Sequence, residues 1–239
     1  MVMSKQKQNH GATIRNTLRD RILRCQLQPG ERIVINDLCA EFEVSLGAVR
    51  EALFGLEGEG LVDAHAKKGF QVVGVSLADM YDLTQARIEI ECTCLRHSIS
   101  GGDLNWESQL VAAAYKLSAT PREEQESIHE MSEAWSVAHA SFHSALVGGC
   151  RNRTLLAIRE SLFVRAERYR RLSMPVDPAH RNVASEHDDL ARAALDRDTD
   201  RACRLMEAHL SRTAMLISDA ASELNQSEKP VRPVPADVT

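Results

Sequence analysis

A four-residue polar break, Asp196-Arg197-Asp198-Thr199, interrupts helical periodicity near the C-terminus, and two histidines stand eleven positions to either side of its centre. Read as the turn of an antiparallel helical hairpin, the break sets His187 and His209 at one height on neighbouring helices. His139 and His143 are four residues apart, which on a helix puts them on one face with Cβ atoms about 5–6 Å apart. Three helices can therefore aim four imidazoles at one point. Four neutral imidazoles suit a divalent transition metal such as zinc, nickel, cobalt or iron, with positions left for water or a carboxylate. Any one of these histidines alone reads more readily as a satisfied core or surface side chain than as a ligand; the equal heights single out the set.

The rest of the chain agrees with helices packed on helices. Of 239 residues, 44% are apolar and only 4% aromatic, a balance that supplies ordinary cores and leans away from sheet. The length suits a small domain and a medium one. Residues 1–76 carry 10 Lys and Arg against 9 Asp and Glu, and the remainder 19 against 25, so the net charge of −5 belongs to the second part. A near-neutral first part can still bind DNA through a local patch. No apolar run approaches the roughly 20 residues that span a bilayer, and the start lacks a secretory signal's apolar core, so a cytoplasmic protein is expected. The six scattered cysteines read as buried free thiols, with Cys92 and Cys94 on different sides of a helix.

Along the chain, Ile14, Leu18, Ile22 and Cys25 recur at helical spacing before Gln28-Pro29-Gly30 breaks the pattern. A second short helix is expected from Asn36 as N-cap, and a third from Ser45, burying Val49, Leu53 and Leu56. Residues 61–65 and 70–73 read as strands joined by Ala66-Lys67-Lys68-Gly69. Three helices and a hairpin make a winged helix-turn-helix over residues 10–75. Ser76 and Asp79 form a capping box that opens a long helix to Ser100. Further helices are expected over 103–117, from 121, continuous or with a break, through Trp135, His139 and His143 to Gly148-Gly149, from Asn152, over 180–196 and over 200–224. Residues 76–224 thus read as an all-α antiparallel bundle that carries the four histidines, and 225–239, with prolines at 230, 233 and 235, as a disordered tail.

In a helix-turn-helix the start of the second helix of the motif enters the major groove. Ser45, Leu46, Gly47, Ala48 and Arg50 are the outward candidates. Arg50 can bond guanine O6 and N7 together, and Ser45 at the helix N-terminus suits a phosphate. His65, Lys67 and Lys68 beside Gly69 offer charge where a wing reaches the backbone or minor groove, although Lys67-Lys68 also reads as a solvated turn.

Gln28-Pro29-Gly30-Glu31-Arg32, the run VSLGAVREALFGLEGEGLV from Val44 to Val62 and the glycine-tipped wing resemble the GntR family of bacterial transcription regulators. The second part is similar to the FCD effector domain of the FadR subfamily in Arg87-x-x-x-Glu91, Phe142-His143-x-x-Leu146, Glu186-His187 and His209-Leu210. The resemblance implies a homodimer, a palindromic double-stranded operator, and release or occasional recruitment by a small carboxylate held near a metal, with residues 76–224 as the domain for effector and metal binding and for dimerisation. The family's usual ligands are one Asp and three His; by position His139 takes the Asp place, with His143, His187 and His209 as the three histidines. Leu46 stands where Arg is common after the opening Ser or Thr, and it can touch a thymine methyl but cannot bond guanine. By the same resemblance Arg87 faces the site as the leading anion partner, ahead of Arg168, Tyr169 and Arg170.

Two other readings compete with a repressor controlled by an organic acid. A direct metal sensor would need no organic ligand. A metal-dependent hydrolase would need a general base, but Ala140, Ser141 and Phe142 separate His139 from His143, so the zinc-protease His-Glu-x-x-His is absent. Glu126-Ser127-Ile128-His129 supplies Glu-x-x-His only once, where a di-iron bundle needs it paired. An enzyme is therefore not expected.

Overall fold

The computed structural model describes residues 2–66, 68–124, 127–173 and 182–227, with side chains over 11–66, 68–123, 131–173 and 182–219. The chain opens with α1 (Val2–Leu23), β1 (Arg32–Ile33), α2 (Ile35–Glu41), α3 (Leu46–Gly58), β2 (Val62–His65) and β3 (Gly69–Val72). Ile14, Leu18 and Ile22 of α1 pack on Val49, Leu53 and Leu56 of α3 and on Phe70 and Val72 of β3. All three helix-3 positions are fully shielded from solvent, so the apolar stripe read at helical spacing is the face that builds this core. Ser45 caps α3, its side chain accepting from the Ala48 amide. β2 and β3 form an antiparallel hairpin, and Gly69 at its tip has φ +84°, a conformation that costs glycine least.

Two local expectations change here. Val34, not Asn36, precedes α2, and it makes no side-chain cap bond. β1 joins β3 through Arg32 opposite Gln71 and makes the sheet three-stranded, in the order β1-β3-β2. Two residues are too few for an alternation to be read from sequence.

The second part holds α4 (Leu77–Gly101), α5 (Leu104–Ser118), β4 (Glu123–Glu124), β5 (Ser127–Met131), α6 (Glu133–Leu146), α7 (Arg153–Leu172), α8 (Val183–Leu195) and α9 (Thr199–Ser227). Ser76, Asp103, Ser132, Asn152 and Asn182 each cap the helix that follows. Leu95, Trp106, Leu110, Phe142, Leu190 and Met206 meet in one core drawn from α4, α5, α6, α8 and α9. The polar break behaves as a hairpin turn: α8 stops at Leu195, Arg197 takes φ 60°, and α9 begins at Thr199.

The helix expected from 121 is absent. That stretch forms the antiparallel ribbon β4-β5, and helix resumes only after Ser132. Glu123, Glu124, Glu126 and Glu130 would crowd like charges at three- and four-residue spacing, without an apolar stripe to offset them. At the other end α9 runs to Ser227, three residues into the expected tail; the remainder of that tail lies outside the described residues. None of the helices, over the described residues, is long and apolar enough to cross a membrane. All six cysteines are free; Cys92, Cys94, Cys150 and Cys203 are buried, and Cys25 and Cys39 half-buried.

The two parts share side chains. Val164 of α7 belongs to the core otherwise built by α1, α3 and the sheet. Arg168, also on α7, donates to the Val73 carbonyl just after β3.

Candidate functional site

α6 presents His139 and His143 one turn apart, α8 presents His187, and α9 presents His209. One ligand atom from each of the four lies within 4.8 Å of every other. All are buried, His143 completely. The rings contact one another directly: His139 and His143 centroids are 4.4 Å apart, His187 and His209 4.8 Å, and His143 and His209 5.3 Å. Trp135 stacks on His139 at 4.7 Å and closes one side.

The protonation states of this cluster leave nitrogen lone pairs available to a metal ion. Burial is the main influence holding His139 and His143 well below the usual imidazole range, and the neighbouring histidines push the same way. Both rings are therefore neutral near pH 7. Their Nε2 atoms are 3.1 Å apart, so either one hydrogen lies between them or two lone pairs face each other. Nδ1 of each ring has no hydrogen-bond partner among the described residues. His209 Nδ1 lies 2.8 Å from Glu186 Oε2. A carboxylate can only accept, so Nδ1 carries the hydrogen and Nε2 keeps its lone pair for the centre. The donor set of neutral nitrogens fits zinc, nickel, cobalt or iron.

Beside the histidines is a cavity of about 40 Å³, lined by His139, His143 and His209 together with Arg87, Tyr169 and Arg170. Its remaining wall is largely apolar, with Met80, Leu83, Ala214 and Ile217. Arg87 bonds Glu91 at 3.3 Å and lies 5.3 Å over the Phe163 ring. Burial pushes its guanidinium below the usual range, and the Glu91 charge opposes that push. Arg159 holds the same carboxylate through Nε, 3.1 Å from each oxygen. Two arginines thus share the Glu91 carboxylate, and Arg159 also meets Glu160 at 3.3 Å, which leaves Arg87 as a cationic side chain on the cavity wall. Of the weaker candidates, Tyr169 and Arg170 line it, whereas Arg168 is turned to Val73.

The α3 candidates for reading DNA, Ala48 apart, lie on the far side of the helix from its core. Ser45, Leu46, Gly47 and Arg50 are exposed, whereas Ala48 is half-buried and packs against the core. Leu46 leaves half its surface in solvent (48%). His65 and Lys68 are exposed on the hairpin and Gly69 is half-buried at its tip; Lys67 lies outside the described residues.

Sequence reasoning did not assign roles to Glu186 or to the Glu91–Arg159 pair. Glu186 was accessible in principle, because the equal heights that bring His187 to His209 also bring its neighbour within reach. Arg159 carried no such signal: an arginine in a helix gives no sign that it will be 3% exposed.

Residues 11–72 match the bacterial regulatory proteins of the gntR family, and residues 82–212 match the FCD domain. The HTH-type transcriptional regulator BphR of Paraburkholderia xenovorans (strain LB400) is 36% identical over 200 residues, covering 84% of this chain and 82% of that one. The HTH-type transcriptional repressor GlaR of Escherichia coli (strain K12) is 33% identical over 208 residues, covering 85% and 93%. Among solved structures, E. coli McbR/YncC superposes with a TM-score of 0.71 at 18% identity, covering 88% of this chain and 98% of that one. A putative transcriptional regulator GntR from Rhodococcus sp. RHA1 gives 0.66 at 23%, covering 92% and 100%. At those identities the two structures speak for the fold alone. With both domain families matched in order along its length, this chain belongs to the GntR family of bacterial transcriptional regulators, in the FadR-like branch with an FCD domain, and is a DNA-binding regulator of transcription, not an enzyme.

Proposed function

We propose that this regulator is a homodimeric repressor whose grip on a palindromic operator is controlled by a small carboxylate bound beside a divalent transition metal. The observation that carries the reading is the meeting of four buried histidine ligand atoms within 4.8 Å, next to a cavity lined by Arg87. His139, His143, His187 and His209 would hold the ion, which would supply a Lewis-acidic anchor for a carboxylate oxygen. Arg87 would pair with the other end of that charge.

On the DNA side, Arg50 is the guanine-reading residue, and Ser45 with the α3 N-terminus contacts a phosphate. Leu46 and Gly47 face the groove floor, with Ala48 behind them. His65, Lys67, Lys68 and Gly69 form the wing that follows the backbone. Two recognition helices must stand about 34 Å apart to enter successive major grooves, so a change of a few ångströms between protomers switches affinity.

Metal-depleted protein and operator fragments selected from random duplexes test the scheme. Nickel or zinc should bind tightly, and DNA should be released only when an organic acid is added to the loaded protein. Arg50→Ala should abolish the preference for selected over random DNA while leaving a folded dimer; an unchanged preference rejects the DNA assignment. Release by metal alone would establish a second reading, direct metal sensing, which is favoured by the small size of the cavity.

A further inference from the structure

The cavity beside the histidines offers about 40 Å³, room for an ion and a water or two. An organic acid of more than a few non-hydrogen atoms, sharing this space with an ion, needs a wall to move. Most of the wall is tied to the bundle itself: Arg87 to Glu91, Arg170 to Glu167, and Met80, Leu83 and Ala214 to one another. Tyr169 differs. Its ring packs against Met80, Leu83 and Ala214 in the wall, yet its hydroxyl reaches out of the bundle to the segment joining the two domains. There it donates to Asp79 Oδ2 at 2.8 Å and accepts from the Ser76 amide at 3.3 Å.

Those two residues are the ones that start α4: Ser76 is its N-cap, with its side chain accepting from the Asp79 amide at 3.1 Å. The neighbouring turns of α7 reach the same region. Arg165 pairs with Asp79 at 3.3 Å, Arg168 holds the Val73 carbonyl, and Val164 enters the core of the DNA-binding domain. Phe163, one residue earlier, stands against the histidines, its centroid 6.0 Å from that of His143. One helix therefore touches the chamber, the linker and the DNA-binding core within two turns.

We infer that Tyr169 is the strut through which occupancy of the cavity is passed to the linker: a ligand too large for the resting cavity displaces the Tyr169 ring, withdraws its hydroxyl from Ser76 and Asp79, and frees the first turn of α4. The inference rests on the chamber being the effector site proposed above. Tyr169 acts on the linker and not on the DNA itself.

Hydrogen exchange on the full-length protein reads this directly, because the Ser76 amide is bonded to the Tyr169 hydroxyl. In Tyr169→Phe, Ser76 exchange should rise about 5- to 10-fold, as expected for loss of one hydrogen bond, while amides in the middle of α8 stay unchanged. Ala214→Leu places three added carbons in the cavity wall as a permanent occupant and should raise Ser76 exchange similarly. The double variant should exceed neither single one, since both act through one hydroxyl. Unchanged exchange in Tyr169→Phe or in Ala214→Leu, or additive effects in the double variant, overturns the inference; should Ala214→Leu fail to fold, Ala214→Val, with two added carbons, carries the same test. Equilibrium dialysis of the wild type against nickel separates the two claims: absence of nickel binding defeats the proposed metal site and leaves the exchange result to judge the strut.

Discussion

Glu186 is the residue whose replacement tests the metal centre most sharply, because it touches the cluster without supplying a ligand atom to it. Its carboxylate is 90% buried; one oxygen takes the His209 Nδ1 hydrogen at 2.8 Å and the other meets Arg212 at 2.6 Å. Glu186→Ala removes the acceptor that fixes the tautomer and ring angle of His209. Losing such an outer partner lowers metal affinity about 10- to 100-fold, or about 1.4–2.7 kcal/mol. Glu186→Gln keeps an oxygen acceptor in place and loses only the charge, so its loss should be smaller, about 3- to 10-fold, from the weaker polarisation of the imidazole. Competition titration of nickel against a chelator of known affinity measures both variants, with circular dichroism to show that the bundle persists. Equal affinity in wild type and Glu186→Ala would mean that His209 does not present Nε2 to an ion, and the tautomer argument fails with it.

Two further outcomes follow from the buried charges. Because His139 and His143 are held neutral well below the usual 6.5, the unfolded chain binds protons there that the folded chain refuses. Metal-free protein should therefore lose up to about 2 kcal/mol between pH 6.5 and about 5.5, with full stability above that window. Urea midpoints measured against a His139→Gln, His143→Gln double variant isolate the two rings; parallel pH curves for the two proteins refute the assignment. Glu91→Leu leaves Arg87 and Arg159 facing each other without the carboxylate between them, and should cost about 3–5 kcal/mol. A loss under about 1 kcal/mol in chemical denaturation would show that the arginines find another counter-charge.

Much of this architecture is local and was open to reading along the chain. Ser45 and Ser76 cap helices because their own side chains reach an amide three residues on, and Val49, Leu53 and Leu56 face inward because a helix repeats every 3.6 residues. The four histidines could be brought together on paper for the same reason: one pair is set by a helical turn, the other by counting from a hairpin. Where local signals conflicted, the reading failed. Thr120-Pro121 looks like a helix start, yet the glutamates that follow favour an extended ribbon and Ser132 caps the real helix.

What sequence alone determined is therefore most of the helices, the wing hairpin, the family signature and the candidate ligands, all of which depend on residues close together in the chain or on a fixed count between them. Tertiary structure decided which side chains share an environment: that Glu186 serves His209, that Arg159 disappears into the interior against Glu91, and that Tyr169 spans from the chamber to the linker 93 positions away. The reason is physical. Periodicity and capping are set by the covalent geometry of a few residues, whereas burial, charge pairing and cavity size arise only when helices distant in sequence press together.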